Sequence, residues 1–175
     1  MKKLFALALV AAMSLSVLAG CGGTAENNDA AAPSKTPEEL TTLYKDAITA
    51  NGGEMVEYNP VISEAKEEDG SAMLLEMMGL KTEDMTAFGI STSMMNVKAF
   101  GIAAVMPAEG KEEAVKASLQ AFVDQKCTEF ETYLVDQLEV AQNAKLETLA
   151  DGTVLMVMTE GQDEVFTAIS AAIAG

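Results

Sequence analysis

The feature that most constrains the fold is a pair of apolar segments on either side of Ala150-Asp151-Gly152. Because Asp-Gly favours the tight turn of a β-hairpin, residues 145–149 and 153–158 are predicted to pair as antiparallel strands. Within the second segment, Val154 to Met158 is uninterrupted apolar sequence. Such a run is typical of a central strand that is covered on both faces or packed tightly between its neighbours.

A second pair of strands is predicted earlier in the chain, at residues 88–92 and 97–106. Gly89 and Gly101 fall within these strands, where a glycine allows a close backbone approach or a bulge. Pro107 ends the second strand. The sequence therefore predicts two hairpins.

The first helix has a strong start signal. Thr36 is placed to cap it, Pro37 occupies the first helical position, and Glu39 completes a capping box. Apolar residues then recur at helical spacing until Asn51-Gly52-Gly53 supplies a stop.

Two further helices are predicted at residues 110–133 and 163–174, each with apolar residues on one broad face. The stretch between the first helix and the first strand is less regular. It contains an extended segment at 58–62 and a short helix at 73–78 that Gly79 ends.

These elements predict an α+β fold in a single globular domain over residues 36–175. The predicted order is α, an irregular region, then β-β-α-β-β-α. Strands that alternate with helices in this way favour a four-stranded antiparallel sheet built from two hairpins, with the helices packed on one face.

The N-terminus carries a leader. Lys2 and Lys3 precede an apolar run over residues 4–17, which is too short to span a bilayer and is typical of a signal peptide covering residues 1–20. An uncleaved signal anchor and an ordinary secretory leader with a chance cysteine are the alternatives.

The end of this leader, Leu18-Ala19-Gly20-Cys21, resembles the lipobox of bacterial lipoproteins. The resemblance implies that signal peptidase recognises Leu18, Ala19 and Gly20, and that it cuts ahead of a lipidated Cys21. Two or three acyl chains on that cysteine make a stable membrane anchor, whereas a single chain binds only marginally.

Residues 21–35 are predicted to form the lipidated cysteine and a flexible tether, because they are rich in Gly, Ala, Asn and Asp and lack apolar periodicity. A coil of this length reaches about 20 Å.

The composition argues against several kinds of catalytic and binding chemistry. The chain contains no histidine, and every basic side chain is lysine, so it lacks the usual neutral-pH general base and the bidentate clamp that arginine provides. We therefore expect no enzyme and no cofactor. The formal net charge is −16, which argues against a nucleic-acid partner and against attraction to an anionic membrane surface.

Several short motifs lie along the second half of the chain: Phe100-Gly101-Ile102, Glu109-Gly110-Lys111, the segment 130–133, Asp136-Gln137 and Asn143-Ala144. Together they resemble the small bacterial lipoproteins grouped as domain of unknown function 4358. The resemblance runs from about Leu40 to the C-terminus and implies a tethered extracytoplasmic domain with no catalytic residue to transfer.

A few side chains are candidates for chemistry. Met73, Met77 and Met78 form a thioether cluster that suits Cu(I), with core packing as the alternative. Lys126 lies in the apolar stripe of the long helix, either as a catalytic lysine or as a long stem with a solvated ammonium.

Two other features have a functional and a structural interpretation. Cys127 is the only thiol besides Cys21, and it is either reactive or a half-buried small hydrophobe. Asp136-Gln137 and Asn143 either define a site or turn the chain.

The sequence therefore predicts a lipid-anchored protein at the cell membrane, on its extracytoplasmic side. Acyl chains on Cys21 hold it there, and it acts as a non-catalytic module that binds a protein or an envelope component. The alternative is a lipoprotein that binds a small ligand or Cu(I) through the methionine-rich region, and an enzyme comes third.

Overall fold

Four antiparallel strands form a sheet at the centre of residues 35–175, the part of the chain that the computed structural model describes. The strands are β1 (Met85–Thr92), β2 (Gly101–Pro107), β3 (Lys145–Thr148) and β4 (Val154–Met158). Their order across the sheet is β1-β2-β4-β3. Both predicted hairpins are present, and antiparallel pairing of β2 with β4 joins them into one sheet. The predicted fold class is confirmed.

Within residues 35–175, six α-helices accompany the sheet. They are α1 (Pro37–Asn51), α2 (Met55–Tyr58), α3 (Ser71–Met77), α4 (Glu112–Phe130), α5 (Val135–Gln142) and α6 (Gln162–Ala174), and a single 3-10 turn (Thr82–Asp84) precedes β1. The capping box of α1 is confirmed, since the Glu39 amide donates to Thr36 Oγ1 at 3.3 Å and the Thr36 amide donates to Glu39 Oε2 at 2.7 Å. Within residues 35–175, none of the helices has both the length and the apolar character that crossing a membrane requires.

The helices cover both faces of the sheet, so the predicted one-sided packing is wrong. Val154, Met156 and Met158 of β4 belong to a core that includes residues of α3, α4 and α5. Leu155 and Val157 belong to a second core with residues of α1 and α6. Neighbouring side chains of a strand point to opposite faces, so an uninterrupted apolar strand needs cover on each side.

Other differences from the predicted elements are local. Residues 135–142 form α5 rather than a turn, because Leu138 and Ala141 pack into the core beside α4. Tyr58 ends α2 instead of beginning an extended segment, and Ile62 alone bridges to Ile90 of β1.

The predicted signal peptide over residues 1–20 lies outside the described residues. So do Leu18, Ala19 and Gly20 of the predicted lipobox, Cys21, and the predicted tether up to residue 34.

Candidate functional site

A cleft of about 320 Å³ opens at the end of the sheet where β2 begins and β4 ends. Its walls come from the end of α1, from α2, from the first residues of α5 and α6, and from the two strand ends. The residues that line it are Gly52, Gly53, Glu54, Met55, Tyr58, Lys98, Ala99, Phe100, Gln137, Thr159, Glu160 and Val165.

Two glycines place α2 on the rim of this cleft. A Cβ on Gly52 would lie 2.7 Å from the Ile48 carbonyl oxygen, so no larger residue fits there without displacing the backbone. Gly53 follows with φ of +78°, a conformation that glycine adopts readily. The chain therefore turns directly from α1 into α2, and Met55 and Tyr58 reach the cleft.

Gln137 connects α5 to Ala99, which lies just before β2. Its side chain is buried, its Oε1 accepts from the Ala99 amide at 2.9 Å, and its Nε2 donates to Asp136 Oδ2 at 2.9 Å. That hydrogen bond from Gln137 is the main reason why the pKa of Asp136 is lowered, and the charge of Lys98 adds to it. Asp136-Gln137 thus lies at the cleft, and its amide has a structural role there.

The charged groups at the rim are mostly acidic. Lys98 Nζ pairs with Glu160 Oε1 at 3.0 Å, while Glu54 lines the other wall and Asp136 lies beside Gln137. The lining therefore holds one cation and two carboxylates, and the Asp136 carboxylate accepts from the lining residue Gln137. Thr159, which is 8% exposed, adds a hydroxyl to the lining.

Exposed apolar residues lie on the loop between β1 and β2, which leads into the cleft at Lys98. Met94, Met95 and Val97 of this loop are 58%, 70% and 58% exposed, and Tyr133 and Val135 are also exposed. Tyr133 joins the loop through its hydroxyl, which donates to the Asn96 carbonyl oxygen at 2.8 Å. We call these five apolar residues the methionine surface.

Hydrogen bonds to a buried lysine and an exposed tyrosine connect this loop to the end of α4 and to the turn that follows it. Lys126 is only 4% exposed, and its Nζ donates to Asn96 Oδ1 at 2.6 Å and to Glu129 Oε2 at 2.8 Å. Asn96 therefore accepts one hydrogen bond at its side chain, from Lys126, and one at its carbonyl oxygen, from Tyr133. We call Asn96, Lys126, Glu129 and Tyr133 the Asn96 clamp.

The clamp corrects the solvated-lysine interpretation of Lys126, because the ammonium is enclosed and paired rather than hydrated. Its Nζ also lies 5.6 Å from the centroid of the Phe122 ring. Burial alone would raise the pKa of Glu129, but hydrogen bonds from Lys126, Gln125 and Asn96 outweigh that effect and lower it. The carboxylate therefore stays charged in the pair.

Cys127, the next residue of α4, is half-buried against the core, as the structural interpretation predicts. Burial raises the pKa of its thiol, and the charge of Asp124 raises it further. Both effects disfavour the thiolate, which is the reactive form.

The three methionines of the predicted copper site have different surroundings. Met73 is 52% exposed, Met77 is partly buried against the core, and Met78 is fully buried. Copper binding by this set stays a prediction. Among residues 35–175, no cluster of three or more histidine, cysteine or acidic side chains is arranged to hold a metal ion.

Residues 61–159 match the family described as Domain of unknown function (DUF4358). The match covers more than half of the chain. The chain belongs to the DUF4358 family. The DUF4358 segment contains all four strands, the Asn96 clamp and the methionine surface, while α1, α2 and α6 flank it. No curated protein and no solved structure matches the chain.

Proposed function

We propose that this DUF4358 protein is a lipid-anchored, extracytoplasmic module that binds a partner protein or envelope component without catalysis. The observation that carries the proposal is the methionine surface, a set of exposed apolar residues whose loop is hydrogen-bonded to Lys126 and Tyr133 and leads into the cleft at Lys98. Exposed apolar patches on soluble domains commonly mark interaction sites. Holding such a patch rigid reduces the entropy lost on binding.

The reactive side chains of the domain support a non-catalytic role. The ammonium of Lys126 is bound by Asn96 and Glu129, and the Cys127 thiol has a raised pKa. The sequence supplies no histidine that would activate either group. These observations support a contact role for the domain rather than a reactive one.

The position of the cleft agrees with attachment through the N-terminus. The chain enters the domain at Thr36, and α1 then runs 15 residues before Gly52 and Gly53 reach the cleft. At 1.5 Å per residue the helix is roughly 22 Å long. The point where the chain enters the domain and the cleft therefore lie at opposite ends of α1.

The anchor is tested by changing Cys21 to Ser in the full chain and labelling cells with a radioactive fatty acid. We expect label on the wild type and none on the Cys21→Ser variant, with the variant released from the membrane fraction. Cys127→Ser is the matched control and should keep its label. Equal labelling of Cys21→Ser and the wild type would remove the anchor from the proposal.

Partner binding is tested by placing a photo-crosslinking amino acid at Met95 of the anchored protein in cells. We expect one discrete adduct, which mass spectrometry then identifies. The same amino acid at Met73, an exposed methionine outside the methionine surface, is the control and should give none. Absence of an adduct at Met95, or the same adducts at both positions, would contradict a binding role for this surface.

Binding of a small ligand is a second candidate, and the cleft favours it. Its volume of about 320 Å³ lies at the lower end of the usual range for ligand pockets, roughly 300 to 1,000 Å³. A metabolite screen against the full chain would reveal it as a rise in melting temperature. Cu(I) belongs in the same screen, with Met73→Leu and Met77→Leu as matched variants for the predicted copper site.

A further inference from the structure

We propose that the methionine surface and the cleft recognise one segment of a partner protein in which lysine or arginine alternates with bulky apolar residues. The apolar side chains pack on the methionine surface, and a basic side chain enters the cleft. This inference rests on the proposed function and specifies the chemistry of its partner.

The apolar half of the proposal follows from the side chains that are presented. Met94 and Met95 are unbranched and polarizable, so they adapt to apolar groups of different shape. Their loop is fixed at Asn96, which Lys126 holds at 2.6 Å and Tyr133 at 2.8 Å. The backbone is thus organised in advance, while the thioether tips stay adaptable.

The basic half follows from the charges at the cleft. Lys98 is the one cation among the residues that line it, and Glu160 already pairs with that cation. Glu54 is an additional carboxylate of the lining, and Asp136 lies beside the lining residue Gln137, so this area attracts a positive side chain. The Tyr58 ring, which is 72% exposed at the cleft, offers a face on which a cation can rest.

Continuity of the chain puts the two halves within reach of one short segment. Val97 of the methionine surface is followed directly by Lys98 of the cleft, and consecutive Cα atoms are about 3.8 Å apart. On the α5 side, Val135 is followed by Asp136 and Gln137. A short extended peptide can therefore reach apolar residues of the methionine surface and residues of the cleft at the same time.

Charge also separates this partner from other occupants of an apolar surface. Residues 35–175 contain nine lysines and 25 acidic residues, a formal charge of −16. A second copy of the chain and an anionic lipid surface would both be repelled by that charge. A basic protein segment is attracted by it.

The test uses the full-length mature lipoprotein in neutral detergent micelles and a short labelled peptide of alternating leucine and lysine. One matched peptide carries glutamate in place of each lysine, and another carries serine in place of each leucine. Fluorescence anisotropy measures binding, with empty micelles as the background. We expect the Leu/Lys peptide to bind roughly tenfold more tightly than either matched peptide and to weaken as salt rises.

Variants assign the binding to the two halves. The double variant Met94→Gln with Met95→Gln should bind the Leu/Lys peptide more weakly. The double variant Glu54→Gln with Glu160→Gln should lower its affinity for that peptide roughly fivefold. Met73→Gln and Glu67→Gln make the same chemical changes outside the surface and should leave affinity unchanged. Circular dichroism checks that each variant is folded.

The outcomes separate this inference from the proposed function. Equal binding of the leucine/glutamate peptide, unchanged binding by both surface variants, or no binding of any peptide overturns the inference. A stable dimer that Met94→Gln with Met95→Gln abolishes would show that a second copy occupies the surface, and it also overturns the inference. If the Met95 crosslink still yields a partner, the proposed function survives with a partner of different chemistry; if that crosslink fails too, both fall.

Discussion

At the scale of single residues, Tyr44 shows how burial and hydrogen bonding set a protonation state. Its side chain is fully buried, and its Oη lies 2.6 Å from Thr153 Oγ1, which lies 2.9 Å from Asp151 Oδ2. A carboxylate only accepts hydrogen bonds, so Thr153 donates to Asp151 and Tyr44 donates to Thr153. Burial is the main cause that raises the pKa of Tyr44 to about 12, and the charge of Asp151 adds to it.

This arrangement predicts a pH-dependent cost for Tyr44→Phe. At neutral pH the free energy of unfolding of the variant should be about 0.5–1.5 kcal/mol lower than that of the wild type, which is the usual net contribution of one hydrogen bond. The pKa of Tyr44 in the native state is above the ordinary value of 10.0, so the native state favours the protonated tyrosine. The stability that Tyr44 contributes is therefore fully present below pH 10 and is lost as pH rises towards about 12. Urea unfolding at neutral and high pH measures both, and a stability difference that stays constant above pH 10 would contradict the assignment.

Lys126 gives the second prediction at this scale. Lys126→Met leaves Glu129 without its cation and Asn96 without its donor, so we expect a loss of about 1–3 kcal/mol in the free energy of unfolding. Lys116→Met, on the same helix, is the matched control, since its ion pair with Glu113 is long at 3.7 Å and exposed. The control should change stability by less than about 0.5 kcal/mol. Urea unfolding compares the two, and equal losses would mean that the clamp adds no stability.

At the scale of elements, the hairpins and helices could be predicted because each rests on a local pattern. The Asp151-Gly152 turn and the capping box at Thr36 involve residues close in sequence, and both are present. The apolar run Val154–Met158 was compatible with cover on both faces, yet the helices were predicted on one face only. Distributing the helices between those faces depends on how separate elements pack, which no single segment encodes.

The Asn96 clamp could not be predicted in the same way. Lys126 and Asn96 are separated by 30 positions, and only the packing of α4 beside the loop brings their side chains together. The sequence did hold one usable signal for the methionine surface. Met94 and Met95 lie between the two predicted strands, where polar residues are expected, whereas Val97 was predicted to begin the second strand, which in the structure starts at Gly101.

Packing between α1 and β1 gives a prediction at the element scale. A Cβ on Gly89 would lie 2.9 Å from Tyr44 Cβ and 3.2 Å from the Lys45 amide nitrogen, so the sequence-based expectation of a close approach is confirmed. Gly89→Ala must push α1 away from the sheet, so it should lower the free energy of unfolding by about 1–3 kcal/mol.

Gly101→Ala is the comparison for that change. Its added Cβ meets movable side-chain atoms, with Phe122 Cε1 at 3.1 Å and two methionine methyl groups at 3.5 Å. We expect a smaller loss, because side chains adjust more easily than a helix backbone. Chemical denaturation ranks the two variants, and a Gly101→Ala variant less stable than Gly89→Ala would contradict this account of the packing.

At the scale of the whole molecule, the excess of negative charge predicts that salt acts on folding and on binding in opposite directions. Six lysines of residues 35–175 pair with acidic side chains, and most of the 25 acidic residues in that stretch have no cationic partner. Salt screens their mutual repulsion, so adding about 0.5 M sodium chloride should raise the melting temperature by a few degrees. Neutralising two exposed acids with Glu67→Gln and Glu68→Gln should reduce that rise. The same salt should weaken binding of the leucine/lysine peptide, because the attraction between peptide and protein depends on the charges that salt screens. A melting temperature that falls with salt would show that the six ion pairs outweigh the repulsion, and the long-range attraction of a basic partner would then lack its physical basis.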